Sequence, residues 1–132
     1  MIKRIDHIDI AVKDIEEGIK LFQKMGFKLL RRTTHGGAAE LKLPGAYQPI
    51  FELFPVLPEY IYGKPGVRHV AFSVNNAQET YDELKGKGIK SCQDKPEFIP
   101  ESGRTIFNSE DPVLGMFFIQ FMDKERKPPI TR

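Results

Sequence analysis

Residues Gly66–Val74 read Gly-Val-Arg-His-Val-Ala-Phe-Ser-Val, an apolar strand with a histidine, His69, set into it. Alternation puts Val70, Phe72 and Val74 on one face and His69, Ala71 and Ser73 on the other. A near copy, Asp-His-Ile-Asp-Ile-Ala-Val at Asp6–Val12, opens the chain, with Ile8, Ile10 and Val12 opposite His7, Asp9 and Ala11. The match continues downstream at constant offset. Asp14 corresponds to Asn76, Glu17 to Glu79, Ile19 to Tyr81, Phe22 to Leu84, Gly26 to Gly88 and Phe27 to Ile89. The second half is therefore read as a repeat of the first, and each copy begins with one histidine.

Both copies predict the same order of elements. Asp14 and Asn76 suit helix N-caps, because a side-chain oxygen there accepts from an otherwise unpaired backbone N–H. Ile15, Ile19 and Phe22, and in the repeat Ala77, Tyr81 and Leu84, recur at helical spacing. Gly26 and Gly88 close the helices, where the left-handed conformation favours glycine. In the first copy, strands are expected over Phe27–Thr34, Ala38–Leu43 and Ile50–Phe54, with a hairpin turn at His35-Gly36-Gly37 and a break at Pro44-Gly45. In the second, strands are expected over Ile89–Cys92, Arg104–Asn108 and Met116–Met122, with a long loop at Gln93–Gly103 and a turn at Glu110-Asp111-Pro112. The modules run 1–55 and 67–123, joined by a linker at 56–66 and followed by a charged tail, 124–132, ending near Pro128-Pro129.

A chain of 132 residues gives neither half enough buried surface to stand alone, so the halves are expected to share one domain. Twenty basic and 18 acidic residues are interspersed, leaving no basic stripe for nucleic acid, and no long uncharged apolar run suggests a membrane span. The start, Met-Ile-Lys-Arg-Ile-Asp, lacks the pattern of a secretory signal, so a cytoplasmic location is expected. A single cysteine, Cys92, offers neither an internal disulfide nor a thiolate metal site and is read as an ordinary packed or surface residue.

Four polar residues sit in strands otherwise too apolar to host them. The first strand of each copy supplies His7 and His69, and the last supplies Glu52 and Gln120, each expected on the face away from the helix. Buried polar groups need partners, or a carboxylate must protonate. One reading is structural hydrogen bonding within the sheet. The other is a divalent metal, since two imidazoles, a carboxylate and an amide oxygen make a mixed N/O set with positions left for water or substrate, suited to Zn, Ni, Co, Mn or Fe. The pairing of all four across the repeat favours the metal.

With the doubled strand-helix-three-strand unit, the openings Asp6-His7-Ile8 and Arg68-His69-Val70, and the closings Phe51-Glu52-Leu53 and Ile119-Gln120-Phe121, the chain resembles the vicinal oxygen chelate superfamily. That group includes glyoxalase I, methylmalonyl-CoA epimerase, extradiol dioxygenases and the fosfomycin and bleomycin resistance proteins. The resemblance spans about Ile5–Asp123. It implies an α+β fold of two paired βαβββ modules forming an open, eight-stranded, mixed, barrel-like sheet around a metal held by His7, Glu52, His69 and Gln120, usually in a homodimer. It also implies an enzyme: a glyoxalase-I-like lyase or isomerase that forms an enediolate from a small carbonyl or thioester substrate. Glutamine stands at 120 where glyoxalase I and the epimerase commonly have a proton-moving glutamate, so Glu52 is the expected catalytic base. The alternatives are an Fe(II) extradiol-type dioxygenase using His7, His69 and Glu52, and a non-catalytic drug-binding protein. Ile50, Phe54, Phe118 and Met122 are expected to wall an apolar pocket. Arg68 and Arg104 are candidates for a substrate carboxylate or phosphate, and Tyr47, Tyr60 and Tyr62 for the rim or a dimer contact.

Overall fold

The computed structural model describes residues 1–33, 37–56, 63–109 and 118–124. The expected turns at His35 and Glu110-Asp111-Pro112, Tyr60, Tyr62, and the tail beyond Lys124 lie outside the described residues. The fold is α+β, with eight strands in an open mixed sheet and two helices. Its elements are β1 (Ile2–Val12), α1 (Ile15–Lys24), β2 (Lys28–Arg32), β3 (Ala39–Lys42), β4 (Ile50–Pro55), β5 (Gly66–Val74), α2 (Ala77–Gly86), β6 (Glu97–Ile99), β7 (Arg104–Asn108) and β8 (Phe118–Asp123).

Among the described residues two compact units divide the chain within strands: one comprises His7–Arg68, the other Met1–Asp6 with the described residues from His69 to Lys124. In the unit of His7–Arg68 the strands run β2-β3-β4-β1. The β1–β4 pair is parallel, as a helical crossover requires, and the other two pairs are antiparallel. Helix α1 starts where Asp14 accepts from the Glu17 N–H at 3.0 Å and ends before Gly26, whose φ of 101° is open to glycine. Its apolar stripe covers Leu41 and Leu53, joined by Ile10, Val12, Ile15, Phe22 and Phe27. Gly18 lets the helix settle, since a Cβ there would stand 3.0 Å from Leu53 Cδ1.

In the other unit the order is β5-β8-β7-β6, with β5–β8 parallel and the remainder antiparallel. The start of β1 adds to this unit: the Asn75 N–H donates to the Met1 carbonyl and Ser73 Oγ to that of Arg4. Asn76 caps α2 through the Glu79 N–H at 2.9 Å. Under it lie Val74, Ala77, Tyr81, Phe107 and Phe121, with the Phe107 and Phe121 rings stacked at 4.7 Å.

Two expectations in this unit need correction. Ile89–Cys92 is not a strand; it makes a single bridge, Ser91 to Ser109. Side chains take the place of a ladder there: Ser91 Oγ donates to the Asn108 carbonyl, and Gln93 Oε1 accepts from the Asn108 N–H. Within the expected loop, Glu97–Ile99 forms β6 against Arg104–Ile106. Pro96 and Pro100 flank this three-residue strand because proline has no N–H for the ladder.

Candidate active site

Strand register sets the polar face of each unit. In the unit of His7–Arg68, Asp9 lies opposite Glu52 and Ala11 opposite Phe54, Glu52 lies opposite Glu40, and Glu40 opposite Arg31. Side chains in register share a face, so Arg31, Glu40, Glu52 and Asp9 form a row across four strands, on the side away from α1 and in line with His7. Asp9 is 1% exposed, Glu40 2% and His7 3%.

Arginines hold the two outer carboxylates. Arg31 donates to Glu40 through Nε at 2.8 Å and Nη2 at 3.3 Å. Arg68 donates from Nη2 to Asp9 Oδ2 at 3.1 Å, with its guanidinium 4.2 Å above the Phe54 ring. Burial, and then the charge of Glu52, push the Asp9 carboxyl up to about 6, against the pull of Arg68 and His7. Glu52, half-buried between Glu40 and Asp9, makes no hydrogen bond or ion pair with the described residues.

The other unit repeats this plan with neutral groups. Ala71 lies opposite Gln120, and Gln120 opposite Asn108. His69, 7% exposed, shares their face, while Phe121 and Phe107 point the other way into the helix-covered core. Asn108 Oδ1 is buried without a hydrogen-bond partner among the described residues. Within each unit, His7 and Glu52 share one polar face, and His69 and Gln120 share the other unit's. Of the expected pocket-wall residues, Ile50 and Phe54 are buried in the first unit and Met122 in the second, while the side chain of Phe118 lies outside the described residues.

Asp9 and Glu40, which the sequence reading did not single out as site residues, flank Glu52 in register. Alternation already put Asp9 on the face of His7, and a lone glutamate among Ala38, Ala39 and Leu41, all fully buried, was the corresponding signal for Glu40. Arg104 is no anion site: its Nη atoms donate to Asp6 at 2.6 and 3.3 Å and its Nε to the Asp123 carbonyl. Tyr47 is exposed and held at φ 63°.

A model of the Glyoxalase/Bleomycin resistance protein/Dioxygenase superfamily matches residues 4–121. The chain belongs to that superfamily. This is the vicinal oxygen chelate group that the repeat resembles. A curated relative is the uncharacterized protein YwkD of Bacillus subtilis (strain 168), 30% identical over 97% of this chain and 94% of its own. Among solved structures, a variant of Streptomyces coelicolor methylmalonyl-CoA epimerase in complex with 2-nitronate-propionyl-CoA superposes with a TM-score of 0.74 at 21% identity, covering 94% of this chain and 99% of that one. The Mycobacterium tuberculosis methylmalonyl-CoA epimerase gives 0.69 at 18% identity, covering 92% and 88%. At these identities the likeness establishes the fold.

Members of the superfamily typically use a divalent metal. The donor chemistry here suits one, with a buried imidazole at the matching position of each unit and a carboxylate or amide on the same face. Among the described residues no group of three or more His, Cys, Asp or Glu side chains is gathered closely enough to hold an ion. No described helix is long and apolar enough to cross a membrane.

Proposed function

We propose that this chain is a metal-assisted isomerase of the glyoxalase I and epimerase kind, acting on a small carbonyl or thioester substrate, with Glu52 as the group that moves the proton. The observation that carries the reading is the state of Glu52. It is a half-buried carboxylate, free of hydrogen bonds and ion pairs among the described residues, between two carboxylates that arginines have engaged. A base must have its oxygen available; Glu40 accepts from Arg31 with both of its oxygens, and Asp9 accepts from Arg68 with Oδ2. The fold shared with methylmalonyl-CoA epimerases supports the same class.

His7, Glu52, His69 and Gln120 would hold the ion, Zn, Ni, Co, Mn or Fe, which when bound supplies Lewis-acid polarisation of the substrate oxygens. Glu52 removes a proton from the carbon beside the carbonyl and, as a carboxylic acid, returns it to that carbon or its neighbour. Gln120 has no proton to exchange near neutral pH, so it binds without acting as an acid or base. Ile50 and Phe54 keep water from the reacting carbon.

The test is exchange of substrate carbon-bound hydrogen with deuterated solvent, run with thiohemiacetal and branched acyl-CoA thioester substrates and each metal in turn. Glu52→Gln should lower exchange by roughly 10²- to 10⁴-fold while elemental analysis still finds metal. Removing both imidazoles, His7→Ala with His69→Ala, should remove the metal. Exchange by Glu52→Gln near the wild-type rate would refute the base assignment. We place the protein in a homodimer and in the cytoplasm on the same footing, with sedimentation and fractionation as the checks.

A further inference from the structure

We infer that Arg68 is the residue that selects the substrate, by binding a carboxylate carried close to the carbon on which Glu52 acts. The inference rests on the isomerase reading for the role of Glu52, but the anion site itself stands on separate observations.

The described arginines differ in what their donors already do. Arg31 spends Nε and Nη2 on Glu40. Arg32 is bound to Glu16 and the Gly37 carbonyl. Arg104 spends Nε on Asp123 and both Nη atoms on Asp6. Arg68 makes one hydrogen bond with the described residues, from Nη2 to Asp9, and its Nε is buried without a partner. A guanidinium has five N–H donors, and leaving one buried and unmatched is unfavourable unless a ligand completes it.

Position and plane add to this. The side chain is 20% exposed on average, so it is reachable, and the Phe54 ring beneath it fixes the orientation of the fork. Its partner Asp9 is the register neighbour of Glu52. An anion received by Arg68 is thereby brought beside the proposed base. The fork suits a planar carboxylate, which can accept two parallel N–H bonds. A phosphate would bring up to two negative charges next to Asp9, Glu52 and Glu40, and like charges at such range repel. The chemistry therefore favours a monoanionic carboxylate.

Calorimetric titration of the full chain, in chelator and again with added Zn²⁺, tests this with malonate, its neutral diamide malonamide, and inorganic phosphate. Wild type should bind malonate at least about tenfold more tightly than malonamide, and more tightly than phosphate, the size expected for a charge-assisted hydrogen bond. Arg68→Gln should erase the preference over malonamide, and Arg68→Lys should retain part of it, with circular dichroism showing that both variants are folded. If Arg68→Gln does not fold, Arg68→Lys carries the test through its reduced malonate affinity. Undiminished preference for malonate in a folded Arg68 variant, or tighter binding of phosphate, overturns the assignment. Glu52→Gln separates the two readings: it should lose exchange yet keep the Arg68-dependent preference. If Glu52→Gln instead exchanges normally while malonate still depends on Arg68, the isomerase reading fails and the anion site remains.

Discussion

The two units lay the same backbone plan under opposite chemistry. Around the central polar residue of each, register places Asp9, Glu52 and Glu40 in one and Ala71, Gln120 and Asn108 in the other. Three carboxylates face one copy where the second has a methyl group and two amides. A carboxylate that is desolvated needs a cation or a proton, and this explains why Arg31 and Arg68 flank the first row. Amides need hydrogen bonds only. The repeat thus supplies matched positions, and substitution within it concentrates ionisable chemistry on the polar face of one unit while that of the other carries neutral amides.

The unit containing His69 also buries charge, but for structure. Arg104 and Asp6 are nearly fully buried, 3% and 8% exposed, and join two stretches 98 residues apart in the chain. If this pair is architectural, Arg104→Met should cost roughly 3–5 kcal/mol, because Asp6 would be left charged and buried, while Arg104→Met with Asp6→Leu should recover most of the loss. Urea unfolding of the single and double variants measures both. A single variant within 1 kcal/mol of wild type would show that the pair does little for folding and would blur the contrast between the units.

A smaller effect probes the charged row itself. The folded protein holds the Asp9 carboxyl near 6, above its ordinary value of 3.8, so the folded state binds that proton more tightly than the unfolded chain does. Raising the pH from about 4 to about 6 therefore removes stability, and the loss is complete above the folded value. The contribution is on the order of 2–3 kcal/mol. In chelator, the unfolding free energy of wild type should fall over that window relative to Asp9→Asn, which has no proton to lose. Parallel pH curves for the two proteins would mean that Asp9 is not strained by its neighbours. Its counterpart in the repeat, Ala71, has nothing to titrate, so the effect belongs to one unit.

The repeat made the fold legible, since strand alternation and the two cap-to-glycine helices are local signals that the packing obeys. His7, Glu52, His69 and Gln120 were legible for the same reason, as polar residues where apolar ones alternate. Glu40 and Arg31 were not, because their significance depends on which strands are neighbours, and a cross-strand row has no spacing in sequence. Asp9 was visible but not distinctive until its burial and its register with Glu52 were known. Arg104 shows the reverse difficulty: an arginine opening a strand reads as an anion binder until a partner 98 residues away is found to occupy it. Likewise Glu97–Ile99 is too short for periodicity to announce it; pairing with Arg104–Ile106 makes it a strand.

The smallest effect separates what the units share from what they do not. Asp14 and Asn76 cap equivalent helices by the same bond, at 3.0 and 2.9 Å, yet one carries a charge and the other does not. Replacing either with alanine should cost about 1 kcal/mol, since each change frees one helical N–H. The charge adds a second component for Asp14, which faces the positive end of its helix; that part is a few tenths of a kcal/mol and is screened by salt. Thermal unfolding of Asp14→Ala and Asn76→Ala at 20 mM and 500 mM salt should therefore show the Asp14 loss shrinking with salt and the Asn76 loss unchanged. If both respond alike, the difference in charge between the copies has no consequence at the helix ends, and the asymmetry of the molecule is confined to its polar faces.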